Sequence, residues 1–158
     1  MDKGNPAFEL PAVERAGMRE LHPLDGALVL MHFAFRGLVL QADRYLEKHG
    51  LSRVHHRILY VLARADGISV GGLLETLGIS KQALHRPMKY LQENGYVVAQ
   101  RDAIEHRVKL LRLTPKGARM ERTASDFERA AMESALGKMS SSDQKAWREV
   151  MIALARQA

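Results

Sequence analysis

The sequence predicts a mainly α-helical fold that carries one small β-hairpin, and three observations support this prediction. Apolar residues recur at three- and four-residue steps through six segments, which is the period of an amphipathic helix. Two of these segments are short and are joined by a tight break, Leu77–Ser80, that contains Gly78, as in a helix-turn-helix. Two β-rich segments with a polar, charged stretch between them follow, as in a hairpin.

The first helix is predicted from Asp25 to about Lys48, and Gly50 marks its end because glycine tolerates a left-handed backbone. Its apolar residues form two faces, which a single chain of 158 residues has little material to cover. We therefore expect this helix to form a subunit interface. The first face comprises Leu28, Met31, Phe35, Leu38, Val39, Ala42, Tyr45 and Leu46, and the second comprises Val29, Leu30 and Phe33.

The next three helices are predicted to contain the helix-turn-helix. The second helix stops at Asp66-Gly67, and Ser69 caps a short third helix that ends before Gly78. Ser80 caps the fourth helix, which ends at Asn94-Gly95. The residues expected to point inward are Val54, Ile58, Val61 and Leu62 in the second helix, and Val70, Leu73, Leu74 and Leu77 in the third.

Two further helices are predicted at the C-terminal end. Thr114-Pro115 starts the fifth helix, since an N-cap residue is followed by a proline whose missing N–H has no cost at that position. This helix runs to about Leu136 and stops at Gly137. Ser141 and Gln144 have the spacing of a capping box at the start of the sixth helix. Its apolar face is expected to contain Trp147, Val150, Met151 and Leu154.

Composition excludes several classes of protein and favours a polyanionic partner. The absence of cysteine excludes disulfides and thiolate chemistry and favours a cytoplasmic location. The longest apolar run, Ala27–Leu40, is interrupted by Arg36 and is shorter than the ~20 residues that span a bilayer, so no membrane association is expected. No export signal is recognised at the N-terminus. The net charge of +6 suits nucleic acid, although many other proteins are equally basic.

The fourth helix has one apolar face and one polar, basic face. Glutamine can pair with adenine and arginine with guanine in the major groove, and the free N–H groups at a helix start suit phosphate. The polar face therefore predicts contact with double-stranded DNA; the alternative is an ordinary solvated surface. The apolar face contains Leu84, Pro87, Met88 and Leu91, and the predicted DNA contacts are Ser80, Lys81, Gln82, His85, Arg86 and Lys89.

The hairpin is predicted from the strands Tyr96–Gln100 and Val108–Leu113, with a charged tip between them. A cationic side chain at such a tip can enter a narrow minor groove, and Arg107 is the candidate, held by Asp102 or Glu105. The alternative is a surface ion pair worth under about 1 kcal/mol. The predicted DNA contacts of the hairpin are Arg101, Asp102, His106 and Arg107.

These motifs, in this order, resemble the MarR (multiple antibiotic resistance regulator) family over about residues 25–156. The matching segments are Leu73–Arg86, Leu91–Val97, Arg101-Asp102 with His106-Arg107, and Leu113–Gly117. The resemblance implies a homodimer built from the first and last helices, which binds near-palindromic operators and is often released by a small ligand. The family's wing usually reads Asp-x-x-Asp-Arg-Arg, so Glu105 and His106 depart from it, and a contact by His106 would be pH-sensitive.

Pro87 also departs from an ordinary reading helix. It lies seven residues into the fourth helix and cannot donate to the Ala83 carbonyl, which should kink or loosen the helix at a cost of ~3 kcal/mol unless it is compensated. The base-facing residues Ser80–Arg86 precede it. We therefore expect DNA reading to survive and the later half of the helix to have an unusual tilt.

Histidines and one arginine raise the question of a ligand or metal site. The resemblance places a small-molecule crevice near the first two helices, and its expected lining is His32, Phe35, Arg36 and His56. The alternative for Arg36 is an intersubunit ion pair with a carboxylate, Asp43 or Glu47. His55 and His56 point about 100° apart on a helix and are expected to be surface residues, and no metal or other cofactor is predicted.

The sequence therefore predicts a winged helix-turn-helix flanked by N- and C-terminal dimerisation helices, acting as a DNA-binding transcription regulator with repression as the expected role. The alternative is a winged-helix protein-interaction module that does not bind DNA, and no catalytic motif points to an enzyme. The predicted regions are an N-terminal arm (1–24), a dimerisation helix (25–50), the winged helix-turn-helix (51–114) and C-terminal dimerisation helices (115–158).

Overall fold

The computed structural model describes residues 22–101 and 109–157. The described residues form six helices and three short strands, in the order predicted except for one additional strand. The predicted arm lies almost wholly outside the described residues. The elements are α1 (Asp25–Glu47), α2 (Arg53–Arg64), β1 (Ile68–Ser69), α3 (Val70–Leu77), α4 (Lys81–Glu93), β2 (Val97–Arg101), β3 (Lys109–Leu113), α5 (Pro115–Leu136) and α6 (Ser141–Ala155).

The chain divides into two compact units, one ending at Leu40 and the other beginning at Gln41. In the first unit the described residues form the start of α1, where the backbone N–H of His22 donates to Asp25 Oδ2 over 2.9 Å. Leu28 and Phe35 are exposed on this helix. The exposed apolar surface is what the sequence predicted for a helix that forms a subunit interface. None of the described helices is both long and apolar enough to cross a membrane.

The core of the second unit forms around α2. Ile58, Leu59 and Leu62 are fully buried there, and α2 packs against α3, α4, α5 and β3. Burying an aliphatic side chain of this size stabilises a fold by about 1.5–3 kcal/mol. This shared core therefore fixes the positions of the helices of the helix-turn-helix. The other buried members include Leu46, Leu73, Leu84, Met88, Leu91, Val97, Leu111, Met120 and Ala124.

The wing is a three-stranded antiparallel sheet in the order β1-β3-β2. Strand β3 pairs with β1 through Ile68 opposite Leu111, and with β2 through Val97 opposite Leu113. The hairpin was predicted, whereas β1 was not. A strand of two residues is too short to show an alternating pattern, so only its pairing with β3 reveals it.

The predicted N-caps of three helices are confirmed by their hydrogen bonds. Ser69 Oγ accepts from the N–H of Gly72, Ser80 Oγ from Ala83, and Thr114 Oγ1 from Gly117, over 3.0–3.2 Å. Gly78, between α3 and α4, has a φ of +62°. The turn of the helix-turn-helix thus has a left-handed backbone conformation, which residues other than glycine adopt only with strain. The participating residues are Ser69 with Gly72, Ser80 with Ala83, and Thr114 with Gly117.

The sequence predictions for Val54 and for the N-cap of α6 are wrong. Val54 was expected inside α2 but is 51% exposed. The N-cap of α6 is Ser140, whose Oγ accepts from the N–H of Asp143, and not Ser141. Gln144 therefore has a different role from a capping-box residue, and its side-chain amide donates to the carbonyl of Leu136 over 3.0 Å. On the predicted apolar face of α6, Trp147 and Met151 are half-buried, whereas Val150 and Leu154 are exposed.

The start of α5 lies unusually close to the start of the wing. A Cβ atom on Gly117 would lie 2.0 Å from the carbonyl oxygen of Tyr96, so only glycine permits this approach. The N–H of Thr114 donates to the same oxygen over 3.0 Å. Burial raises the pKa of the Tyr96 phenol, and Lys116 Nζ lies 4.2 Å from the centre of its ring. The wing and α5 are thereby joined rigidly.

Candidate nucleic-acid interface

The polar face of α4 is exposed because its opposite face belongs to the core. Leu84, Met88 and Leu91 are buried, as predicted, and Pro87 is half-buried. All six residues predicted to contact DNA from this helix and its cap are exposed. They are Ser80, Lys81, Gln82, His85, Arg86 and Lys89.

The exposed face carries positive charge that the rest of the described chain does not neutralise. Within residues 22–101 and 109–157, neither Lys81 nor Arg86 forms an ion pair, whereas Lys89 Nζ lies 3.7 Å from Glu93 Oε1 one turn later. Ser80 Oγ accepts from the N–H of Ala83, so the N–H groups of Lys81 and Gln82 are the ones at the start of α4 without an acceptor in the preceding turn. A face of this kind can bind phosphate and base edges together.

Helix α4 continues through Pro87 to Glu93. Proline cannot donate a backbone hydrogen bond, so continuity here requires compensation. Leu84 and Leu91 are buried on either side of it, which anchors both halves of the helix in the core. The residues that could read bases, Ser80–Arg86, lie before the proline.

The start of α2 supports the end of α4 through His55. Its Nδ1 accepts from the N–H of Ser52 over 3.0 Å, which forms part of a capping box, and its ring lies 5.0 Å from that of Tyr90. Burial lowers the pKa of His55. His55 was expected on the surface and is half-buried there, but its contacts with Ser52 and Tyr90 were not predicted. A capping-box spacing with Ser52 was the signal that could have revealed the first contact.

The outer end of the hairpin, where the described strands stop, presents two cations side by side. Arg101 at the end of β2 pairs in register with Lys109 at the start of β3, and both are exposed. Lys109 was not predicted as a DNA contact, because its position opposite Arg101 depends on the strand register. Further along β3, Arg112 forms an ion pair with Asp66, which ties the wing to the end of the α2 segment. The predicted contacts at the tip, Asp102, His106 and Arg107, lie outside the described residues.

The residues predicted to line a ligand crevice are in different environments. His32, Phe35 and Arg36 are exposed on the first unit, and the Arg36 guanidinium lies 5.9 Å from the ring centre of Phe33. His56 is 4% exposed in the second unit, so the expectation that it is a surface residue is wrong. Its Nε2 lies 3.2 Å from Ser125 Oγ and its Nδ1 lies 3.5 Å from Glu128 Oε1.

Asp43, which the sequence offered as one intersubunit partner for Arg36, forms an ion pair with Arg53 within the chain. A surface cleft of about 600 Å³ is lined by residues at the end of α1 and by one residue of α5. Within the described part of the chain, no group of three metal-ligating side chains comes together. The cleft is lined by Gln41, Arg44, Tyr45, Glu47, Lys48 and Phe127.

Comparison with known proteins gives consistent matches. Residues 49–107 match the model of the MarR family. The chain is 37% identical over 105 residues to the HTH-type transcriptional regulator PetP of Rhodobacter capsulatus, a match that covers 66% of this chain and 63% of PetP. It is 33% identical over 85 residues to the uncharacterized HTH-type transcriptional regulator YdgJ of Bacillus subtilis, covering 53% of this chain and 52% of YdgJ. The matched part thus spans less than two thirds of either relative.

The fold matches solved structures over a larger share of the chain. The crystal structure of Streptococcus pneumoniae FabT in complex with DNA superposes with a TM-score of 0.74 at 18% identity, covering 82% of this chain and 93% of that one. The matched family and both curated relatives are transcription regulators and not enzymes. The helix order, the three-stranded wing and these matches together show a winged helix-turn-helix fold in which residues 49–107 match the MarR family.

Proposed function

We propose that this chain is a cytoplasmic transcription regulator, with repression as its expected role, that binds a near-palindromic operator as a homodimer. The observation that carries this proposal is the exposed face of α4, on which Lys81 and Arg86 have no ion-pair partner among the described residues. Two reading helices of a dimer would enter successive major grooves, with the wings beside the flanking minor grooves.

The pairing of Arg101 with Lys109 gives independent support. Like charges directly opposite each other in a sheet destabilise it, unless an anion lies between or beside them. Both cations lie at the outer ends of their strands, next to the predicted minor-groove tip in the sequence. A phosphate backbone would neutralise them and release counterions, so this arrangement favours DNA over a neutral partner. FabT, which has a similar fold, was crystallised with DNA.

Homodimer formation is supported by apolar residues that remain exposed on the single chain. Leu28 on α1 and Val150 on α6 are more than half exposed, and further large apolar residues on the same two helices are also exposed. Exposed apolar surface of this extent typically marks a protein interface. The further residues are Leu30, Met31, Phe35 and Leu40 on α1, and Ile152 and Leu154 on α6.

We also propose that the protein binds a small anionic or aromatic effector. His32, Phe35, Arg36 and His56 are the lining expected from the sequence, whereas the cleft at α1 and α5 offers two aromatic rings and two cations. Tyr45 and Phe127 have ring centres 5.8 Å apart there. A thermal-shift titration with benzoate on Arg36→Ala and Arg44→Ala would show which site, if either, holds an anion.

A protein-interaction module is disfavoured by the same helix face. Such a module would be expected to present aromatic or aliphatic anchors at its binding surface. The outward residues of α4 are instead polar or charged from Lys81 to Lys89, apart from Ala83. The face is therefore better suited to a polyanion than to an apolar groove of another protein.

A gel-shift titration against the promoter region beside the chain's own gene tests the function. The expected result is saturable binding that survives competition by random duplex DNA. A variant with Arg86→Glu should lose binding, whereas Arg156→Glu, the same charge reversal at an exposed residue beyond the end of α6, should retain it. Binding that random DNA displaces at equal concentration would contradict a sequence-specific regulator.

A further inference from the structure

A chain of polar groups, three of them buried and one at the surface, joins α2 to α5. Arg64 Nη1 lies 2.8 Å from Glu121 Oε1, and Ser125 Oγ donates to the same carboxylate oxygen over 2.7 Å. His56 Nε2 lies 3.2 Å from Ser125 Oγ. His56, Glu121 and Ser125 are each at most 6% exposed. We call these four residues, His56, Arg64, Glu121 and Ser125, the polar clamp.

The hydrogen atoms of the polar clamp follow from counting donors. An ionised carboxylate only accepts, so the single hydroxyl hydrogen of Ser125 is directed to Glu121. The Ser125 oxygen then accepts from His56, which requires a hydrogen on Nε2. Arg64 approaches Glu121 from the other side, held 3.3 Å above the Tyr60 ring. The other ring nitrogen of His56, Nδ1, lies 3.5 Å from Oε1 of Glu128, which is also on α5.

The polar clamp includes two residues from each helix. His56 and Arg64 lie about two turns apart on α2, and Glu121 and Ser125 lie one turn apart on α5. Apolar cores accept repacking with a small loss, whereas hydrogen bonds weaken steeply outside a narrow range of distance and angle. Sliding α2 along α5 would leave a buried carboxylate and a buried imidazole unpaired, which costs more than loss of apolar contact.

We propose that the polar clamp fixes the position of α2 along α5 and so sets the separation of the two reading helices in the dimer. Helix α2 packs against both α3 and α4, so its position determines that of α4. Helix α5 belongs to the region predicted to dimerise. The clamp residues are positioning residues for DNA binding, and this inference rests on the proposed function.

Operators that differ only in half-site spacing test the clamp. Adding or removing one base pair moves a half-site by about 3.4 Å and about a tenth of a turn. The wild type should bind these altered operators at least about tenfold more weakly than the selected one. His56→Gln keeps an N–H donor near the position of Nε2 and should retain this preference. His56→Asn is too short to reach Ser125 and should reduce the preference to about threefold or less.

Ile58→Val on the same helix is the matched control, because it removes one buried methyl group without touching the clamp. It should lower stability and keep the spacing preference. If His56→Asn lost affinity equally for all spacings, or if Ile58→Val relaxed the preference as much, the clamp would be no more than part of the core. A wild type that binds no operator would contradict the proposed function itself.

Imidazole ¹⁵N spectra of the wild-type protein keep the inference testable if His56→Asn does not fold. The expected signature is a hydrogen on Nε2 of His56 with through-space contact to the Ser125 side chain. An Nε2 that carries no hydrogen would overturn the donor order and, with it, the clamp.

Discussion

At the scale of single residues, Arg86 and Lys81 are expected to contribute to DNA binding in different ways. Arg86→Ala should cost about 1–3 kcal/mol of binding free energy and relax the preference at one base position. Lys81→Ala should weaken binding to all sequences and reduce the salt slope by about one. Dissociation constants for the operator and its single-base variants, measured across a salt series, distinguish the two effects.

Arg156→Ala provides the control for charge alone, because Arg156 is exposed beyond the end of α6. It should alter binding little at constant salt. Equal losses from Arg86→Ala on every sequence, with no change in base preference, would show that Arg86 contacts phosphate and not a base.

His55 gives the fold a pH dependence whose sign follows from its environment. Burial lowers the pKa of His55 in the folded state, whereas the unfolded chain keeps the ordinary histidine pKa of about 6.5. The unfolded chain therefore binds the proton more tightly, and protonation favours unfolding as the pH falls below about 6.5. The contribution of neutral His55 is therefore complete above that pH and is lost below it, by at most about 1.4 kcal/mol per pH unit.

Urea unfolding at pH 8 and pH 5.5 measures this contribution. His55→Gln keeps a capping-box side chain that has no charge to gain, so its free energy of unfolding should fall less over this interval than that of the wild type. An identical fall in both proteins would assign the pH dependence to other groups.

At the scale of elements, Pro87 is the feature of α4 that most affects its stability. Proline in a helix interior costs about 3 kcal/mol, partly offset by the restricted unfolded chain. Pro87→Ala should therefore raise the free energy of unfolding by about 1–3 kcal/mol. Denaturant unfolding of the two proteins makes the comparison, and operator preference measured alongside tests the predicted tilt. No change in either quantity would contradict a role for this proline.

The helices were predictable because their signals are local. The caps Ser69, Ser80 and Thr114 lie directly before periodic apolar runs, and each makes the predicted hydrogen bond. Strand β1 was not predictable, since its two residues acquire a structure only by pairing with β3. The exposure of Val54 likewise depends on which face of α2 its neighbours cover. Non-local packing decides both features.

Part of the candidate site was likewise predictable from local sequence, and part depended on distant contacts. The polar face of α4 follows from helical periodicity, and all of its predicted residues are exposed. The pairing of Lys109 with Arg101 required the strand register. The burial of His56 required the approach of Ser125 from a helix 69 residues later. Sequence periodicity carries no information on such distant partners.

At the scale of the whole molecule, dimer formation depends on the exposed apolar residues of α1 and α6. Leu28→Glu would place a charge without a partner in the proposed interface, where such a charge costs about 3–5 kcal/mol. The dimer dissociation constant should rise by on the order of 100-fold or more. Sedimentation equilibrium measures it, with Gln41→Glu, an exposed polar position on α1, as the control.

A wild-type protein that sediments as a monomer at micromolar concentration would remove the basis for paired reading helices. A dimer unaffected by Leu28→Glu would instead place the interface on other surfaces of the chain. Either result would also change the expected symmetry of the operator, since a two-fold protein reads a two-fold site.

We propose above all that two copies of α4 read a symmetric DNA site. Selection of binding sequences from random duplex DNA tests this proposal most directly. We expect enrichment of a near-palindrome whose half-site centres lie about 10–10.5 base pairs apart, and loss of one conserved position with Arg86→Ala. Recovery of sequences with no common motif, or of a single asymmetric half-site, would contradict it.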